Sequence, residues 1–215
     1  MRNMTTYLIF IFLCAFSYNA FSQTEWITEL PVFGQAYAML RTKDSCYAVL
    51  KGPVYYNEDS TDYIYDLQLS KVNREGEILW YDTVFSDTLD FAYLSFIQLS
   101  NEDFFITGQC YRCPFYAITS KDGDLKYFNR LENYLGTHSR FYSPVEMSES
   151  EVWVLGGYTQ FFITKINLVN HEICVDSSAL CLQNASWPLM RKLSENKIFI
   201  ATNYLNVYTV DTNQN

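Results

Sequence analysis

Basic residues are scarce. The 215-residue chain carries 15 Lys and Arg against 24 Asp and Glu, a net charge of -9. Nucleic acid and anionic membrane are therefore not expected partners, because both are held by basic patches. Histidine is rarer still, with only His138 and His171. No Gly-x-Ser-x-Gly elbow accompanies either, so a serine triad has no support; His138 reads as lying in a loop and His171 as opening a strand, both as ordinary loop and surface residues. No second Cys-x-x-Cys or histidine pair exists to complete a zinc site, and no metal or cofactor is expected. Glycine and proline are few, 8 and 5. With 18 Tyr and 16 Phe in the chain, that balance indicates an all-β globular protein rather than a disordered one. The length suffices for one sizeable core.

Long apolar runs are confined to the N-terminus. Arg2 precedes an apolar stretch from Tyr7 to Phe16, and Ala20-Phe21-Ser22 supplies small residues before Gln23. The run is short for a bilayer span. It reads as a cleaved signal peptide, residues 1–22, with no membrane insertion afterwards and a secreted, periplasmic or cell-surface destination. Leu13 stands before Cys14, where a lipid anchor needs a small residue. Export leaves Cys46, Cys110, Cys113, Cys174 and Cys181 in an oxidising compartment, an odd set in which disulfides are permitted.

The best-formed stretch is Asp66 to Trp80: alternating residues to Asn73, a turn at Arg74-Glu75-Gly76-Glu77 whose glycine can take positive φ, then Ile78-Leu79-Trp80. This is a β-hairpin, and weaker copies recur. An anchor of hydrophobic strand, polar turn and second strand appears at Tyr37 to Leu50, Phe96 to Gly108, Val145 to Gly156 and Leu189 to Ala201. Leu40, Leu99, Met147 and Leu193 are spaced about 59, 48 and 46 residues apart, near the range of propeller blades. A polar, Tyr-rich insert from Gly52 to Asp62 lengthens the first period. A second hairpin follows each anchor, as at Phe115 to Phe128 and Phe161 to Val175. Four strands per repeat, with no amphipathic helix, predicts a β-propeller of about four four-stranded blades. Residues 23–215 form it, with blades near 35–85, 92–132, 141–178 and 187–215. The last is either incomplete or completed by the strand at 24–30. The chain is a small closed propeller or the N-terminal part of a larger one.

These repeats resemble the pyrroloquinoline-quinone-like and kelch-like blades of secreted bacterial β-propellers, with the nearest likeness to exported Bacteroidetes proteins of the type IX secretion route. The resemblance implies a fold but no particular activity.

Cys110-Tyr111-Arg112-Cys113 is the sharpest local motif. It lies between two strands with no helix to acidify a thiol. A disulfide staple or two plain thiols is expected, with redox or metal chemistry the lesser alternative. Cys174 and Cys181 offer a second local staple, which leaves Cys46 as the odd thiol, buried on a strand. The acidic clusters at Glu58 to Asp62, Asp82 to Asp90 and Asp122 to Asp124 lack the spacing of a calcium-binding loop and read as solvated turns. Tyr55 and Tyr56 are candidate ligand-contact aromatics, weighed against aromatics that fill the space between blades. No catalytic set assembles. The expectation is a secreted or surface binding module for an unidentified protein or glycan partner. The alternative is a propeller-type carbohydrate-active enzyme using carboxylates gathered in the channel.

Overall fold

In the computed structural model the described residues are 35–52, 54–56, 63–87, 90–132, 138–158, 160–176, 182–183, 188–195, 197–201 and 207–211. They form strands and turns only, arranged as four antiparallel sheets in chain order. The first sheet holds β1 (Gln35–Arg41), β2 (Tyr47–Gly52), β3 (Val54–Tyr56), β4 (Tyr63–Val72) and β5 (Ile78–Asp87). β3 continues the line of β2 along β4, with Val54 opposite Tyr65 and Lys51 opposite Gln68. The second sheet is β6 (Phe91–Gln98), β7 (Phe104–Cys110), β8 (Cys113–Thr119) and β9 (Leu125–Arg130). The third is β10 (Arg140–Ser148), β11 (Glu151–Gly157) and β12 (Gln160–Asn167), edged by the short β13 (Ile173–Asp176) and β14 (Leu182–Gln183). The fourth is β15 (Leu189–Ser194), β16 (Lys197–Ala201) and β17 (Val207–Asp211).

Local chemistry sets the turns. Between β4 and β5, Gly76 sits at φ 88°, and its N–H donates to the Asn73 carbonyl at 3.2 Å. The Asn73 side-chain oxygen accepts the N–H groups of Glu75 and Glu77 at 3.0 and 2.8 Å. The asparagine thus mimics a strand partner while glycine takes the left-handed corner. Between β8 and β9, Ser120 and Gly123 repeat the arrangement. In the β1–β2 and β6–β7 turns, Ser45 and Glu102 take the left-handed position instead, at φ 68° and 72°. The Cys110–Cys113 connection is tighter. Tyr111 and Arg112 both have positive φ, 44° and 66°, as a two-residue mirror-image turn requires.

Side-chain parity builds the core. Along β7, Phe104, Ile106 and Cys110 join the cluster against the first sheet, whereas Phe105 joins the cluster against the third. On β8, Phe115 and Ala117 face one way and Tyr116 and Ile118 the other. On β11, Val152 and Val154 face the second sheet, and Trp153 and Leu155 face the fourth. Each interior sheet is therefore apolar on both faces, which explains why its central strands read as unbroken hydrophobic runs.

The first strands of successive sheets lie beside one another, β1 by β6, β6 by β10 and β10 by β15. Three of them carry a one-residue bulge in their first half, between Ala36 and Ala38, between Ala92 and Ser95, and between Tyr142 and Val145, whereas that of β15 lies at its end, between Lys192 and Ser194. A bulge reverses parity. It lets Phe91 and Phe96 enter the same core, as it does Tyr142 and Val145. Gly108 accommodates the second bulge, since a Cβ there would come within 2.8 Å of the Ala92 carbonyl oxygen. Four meandering sheets stacked through their first strands fit a propeller-like fold.

Candidate functional site

The first strands β6, β10 and β15 enclose a cleft of about 470 Å³. Its polar lining comes from Ser95 and Gln98 on β6, Ser143 and Glu146 on β10, and Arg191 and Lys192 on β15. These side chains are positioned by seams between sheets. The Glu146 carboxylate accepts the Ser100 hydroxyl at 2.6 Å and the Ser100 N–H at 2.9 Å. Lys43, in the β1–β2 turn, donates its ammonium to the Ser100 carbonyl at 2.7 Å and its backbone N–H to Gln98 Oε1 at 2.8 Å. Lys192 donates to the Met147 carbonyl at 2.7 Å. One chain of polar contacts thus joins all four sheets at this end of the first strands. Arg191 is exposed and makes no ion pair among the described residues.

Nearby, Asp44 pairs with Lys71 at 2.6 Å and accepts the Thr42 hydroxyl at 2.5 Å. The Lys71 hydrogen bond, followed by that of Thr42, holds the Asp44 carboxyl down at about 2.

A second polar group lies where β6 and β10 begin. The Arg140 guanidinium carbon stands 3.6 Å from the Tyr93 ring centre, 4.9 Å from that of Tyr158 and 5.9 Å from that of Tyr142. Burial pushes the Tyr142 hydroxyl up to about 12, with the neighbouring arginine acting in the opposite direction. The His138 ring lies 5.8 Å from Tyr158, and Gln109 Nε2 donates to the His138 and Ser139 carbonyls at 2.8 and 3.1 Å.

The residues singled out from the sequence are dispersed. Cys110 and Cys113 face each other directly across the β7–β8 turn, Cys110 buried and Cys113 half-buried, with no disulfide between them. Arg130, whose main partner is Glu132, also hydrogen-bonds Cys110. Cys174 is exposed on β13, and Cys181 lies outside the described residues. Cys46 is half-buried at the end of the β1–β2 turn, not buried on a strand, because the turn closes with the Thr42 N–H on its carbonyl. Tyr55 and Tyr56 belong to strand β3, opposite Ile64 and Tyr63, rather than to a loop; their side chains lie outside the described residues. The expected strand at 24–30 and the cluster from Glu58 to Asp62 also lie outside them.

His171 does not open a strand. It occupies a left-handed turn position, φ 61°, with its ring stacked 3.6 Å from that of Tyr127. Among the described residues no three His, Cys, Asp or Glu side chains converge as a metal site. Glu146 is the one carboxylate on the described first strands β1, β6, β10 and β15. Sequence reasoning missed both the Ser100–Glu146 seam and the Arg140 cluster. Each is assembled from different sheets, and no local motif marks it.

No protein-family model matches the chain, and no curated protein sequence matches it. Among solved structures, the chain is similar to a protein of unknown function from Dyadobacter fermentans DSM 18053. The TM-score is 0.53 and the identity 11%, over 84% of this chain and 52% of that one. A protein of unknown function from Bacteroides caccae gives a TM-score of 0.48 at 12% identity, covering 87% of this chain and 81% of that one. HIRA(644-1017) gives 0.41 at 14% identity, covering 90% and 59%. The chain spans about half the length of the Dyadobacter protein, and that likeness is one of fold alone.

Proposed function

We propose that this chain is a secreted or cell-surface propeller module that binds a protein or glycan partner at the cleft between β6, β10 and β15. The observation that carries the reading is the cleft itself. Its carboxylate, Glu146, is already held by Ser100, while Arg191 stays exposed beside it. A concave site lined by a few fixed polar groups and apolar walls is how small ligands and protruding partner groups are gripped. The carbohydrate-active reading requires two carboxylates facing one another across the channel. Glu146 is the single carboxylate that the described first strands offer it. In the same proposal the four sheets are blades of a ring, and residues 1–22 direct export.

The test is a thermal-shift screen of the purified chain against glycan and peptide panels, followed by Arg191→Ala on any hit. A saturable stabilisation that weakens in R191A is the expected result. Ligands that bind equally well to R191A place recognition elsewhere, and turnover of a glycan overturns the non-catalytic reading. Export is tested separately, by expressing the full chain in a bacterium and reading the N-terminus of the exported product. Gln23 is expected.

A further inference from the structure

We infer that Arg140 and the tyrosines around it form a second binding site, one that takes a carboxylate-bearing small molecule. The cluster occupies a seam repeated along the molecule, and the repeats show how little that seam needs. Where the first sheet meets the second, the Tyr37 hydroxyl donates to the Phe91 carbonyl at 3.4 Å. Where the third meets the fourth, the Ser143 hydroxyl donates to the Pro188 carbonyl at 3.3 Å. At both, a hydroxyl in the bulge makes the contact. Between the second and third sheets the bulge residue is Tyr93, and it meets a full guanidinium.

That guanidinium hydrogen-bonds the Tyr142 hydroxyl, but its donors are incompletely used. Arg140 Nε is buried with no hydrogen-bond acceptor, and Arg140 has no ion-pair partner among the described residues. A buried charged donor left without an acceptor is costly. With the Tyr93 ring against one face of the group and one donor on Tyr142, the edge that carries Nε remains for recognition. That planar fork matches the two oxygens of a carboxylate. Tyr158, 49% exposed, forms an open wall on which the rest of a ligand can lie.

The surrounding backbone is held in place. Gln109 bonds two successive carbonyls of the segment leading to Arg140. Tyr93 and His138 sit at φ 57° and 68°, conformations that non-glycine residues take at a cost and that concentrate at binding positions. A carboxylate reaches such a site from a sugar acid or from a peptide C-terminus, and the test separates these sources.

Saturation-transfer NMR on the purified chain would use galacturonate and N-acetylalanine as probes, with galactose and N-acetylalaninamide as their neutral counterparts. At least one acid is expected to bind saturably and its neutral counterpart not. The acid that binds tighter names the source. Arg140→Lys keeps the charge but loses the fork, so its affinity should fall by about tenfold or more. Should that variant fail to fold, Tyr158→Ala decides the matter, because this half-exposed ring lies outside the buried clusters. Its affinity should fall several-fold. Failure of both acids to bind, equal binding of the neutral counterparts, or unchanged affinity in whichever variant folds overturns the proposal. None of these outcomes depends on the β6–β10–β15 cleft being a ligand site.

Discussion

Ser100 grips Glu146 twice, with its hydroxyl at 2.6 Å and its backbone N–H at 2.9 Å, and so fastens the β6–β7 turn to the first strand of the next sheet. Glu146→Ala removes the acceptor and strands the amide. Because the seam is open to water, the expected cost is about 1 kcal/mol rather than the full price of a buried charged bond. Ser100→Ala should cost less, since its N–H remains. A double-mutant cycle by urea denaturation checks this. Additive effects would mean that the two residues do not cooperate in joining the sheets.

Gly157 closes β11 at φ 143°, and a Cβ there would lie 1.8 Å from the Gln160 carbonyl oxygen. Backbone, unlike a flexible side chain, cannot step aside. Gly157→Ala is expected to destabilise by roughly 2–4 kcal/mol. Its denaturation midpoint, set beside that of an alanine placed in an exposed turn, provides the measurement. A change below about 0.5 kcal/mol, the usual range for surface substitutions, would contradict the geometry.

Asp44 gives a pH dependence of known sign. Its folded value, about 2, lies below the ordinary 3.8, with the Lys71 hydrogen bond as the largest cause. A depressed carboxyl stabilises the fold above the unfolded value and loses that contribution as pH falls from about 4 to 2. The Asp44 side chain is 54% exposed, so solvent screening limits the effect to under about 1 kcal/mol. The wild-type chain should exceed Asp44→Asn in stability at pH 6, with the gap closing towards pH 2. A gap that widens on acidification would reverse the sign.

Cys110 and Cys113 are direct cross-strand partners at a two-residue turn. With a small-molecule disulfide such as oxidised glutathione, thiol–disulfide exchange should join them, the incoming disulfide leaving as two thiols. Mass spectrometry after alkylation would show one fewer pair of reactive thiols and a cross-link within one peptide. Persistent alkylation of both cysteines under oxidising conditions would mean that the turn cannot bring the sulfurs together.

The all-β class was legible, as was the hairpin grammar. Asp122-Gly123 and Arg74-Glu75-Gly76 name their turns because glycine's conformational freedom is a local property. The anchor strands at Phe104 and Val152 were legible as apolar runs. His171 was misplaced because a side chain stacked on Tyr127 and a left-handed backbone leave no mark in a one-dimensional pattern. Tyr55 and Tyr56 were read as part of a polar insert, yet their backbone extends the sheet along β4. Ser100 and Glu146, 46 residues apart, meet only because sheets stack through their first strands. Arg140 and Tyr93 meet for the same reason. Contacts set by stacking depend on bulge position and twist, which composition does not encode.

The alternation along β7, β8 and β11 has a bearing on how such a chain diverges. Odd and even positions of one strand answer to different neighbours, so a substitution at Phe105 is accommodated by the third sheet and by same-face neighbours such as Tyr116, and one at Phe104 by the first sheet and by Phe96. Each interface can drift separately, provided that its own residues drift together. Many small, independent accommodations of this kind erase sequence likeness while leaving the sheets in place. Such drift is compatible with the 11% identity at which this chain and the Dyadobacter protein still share a fold.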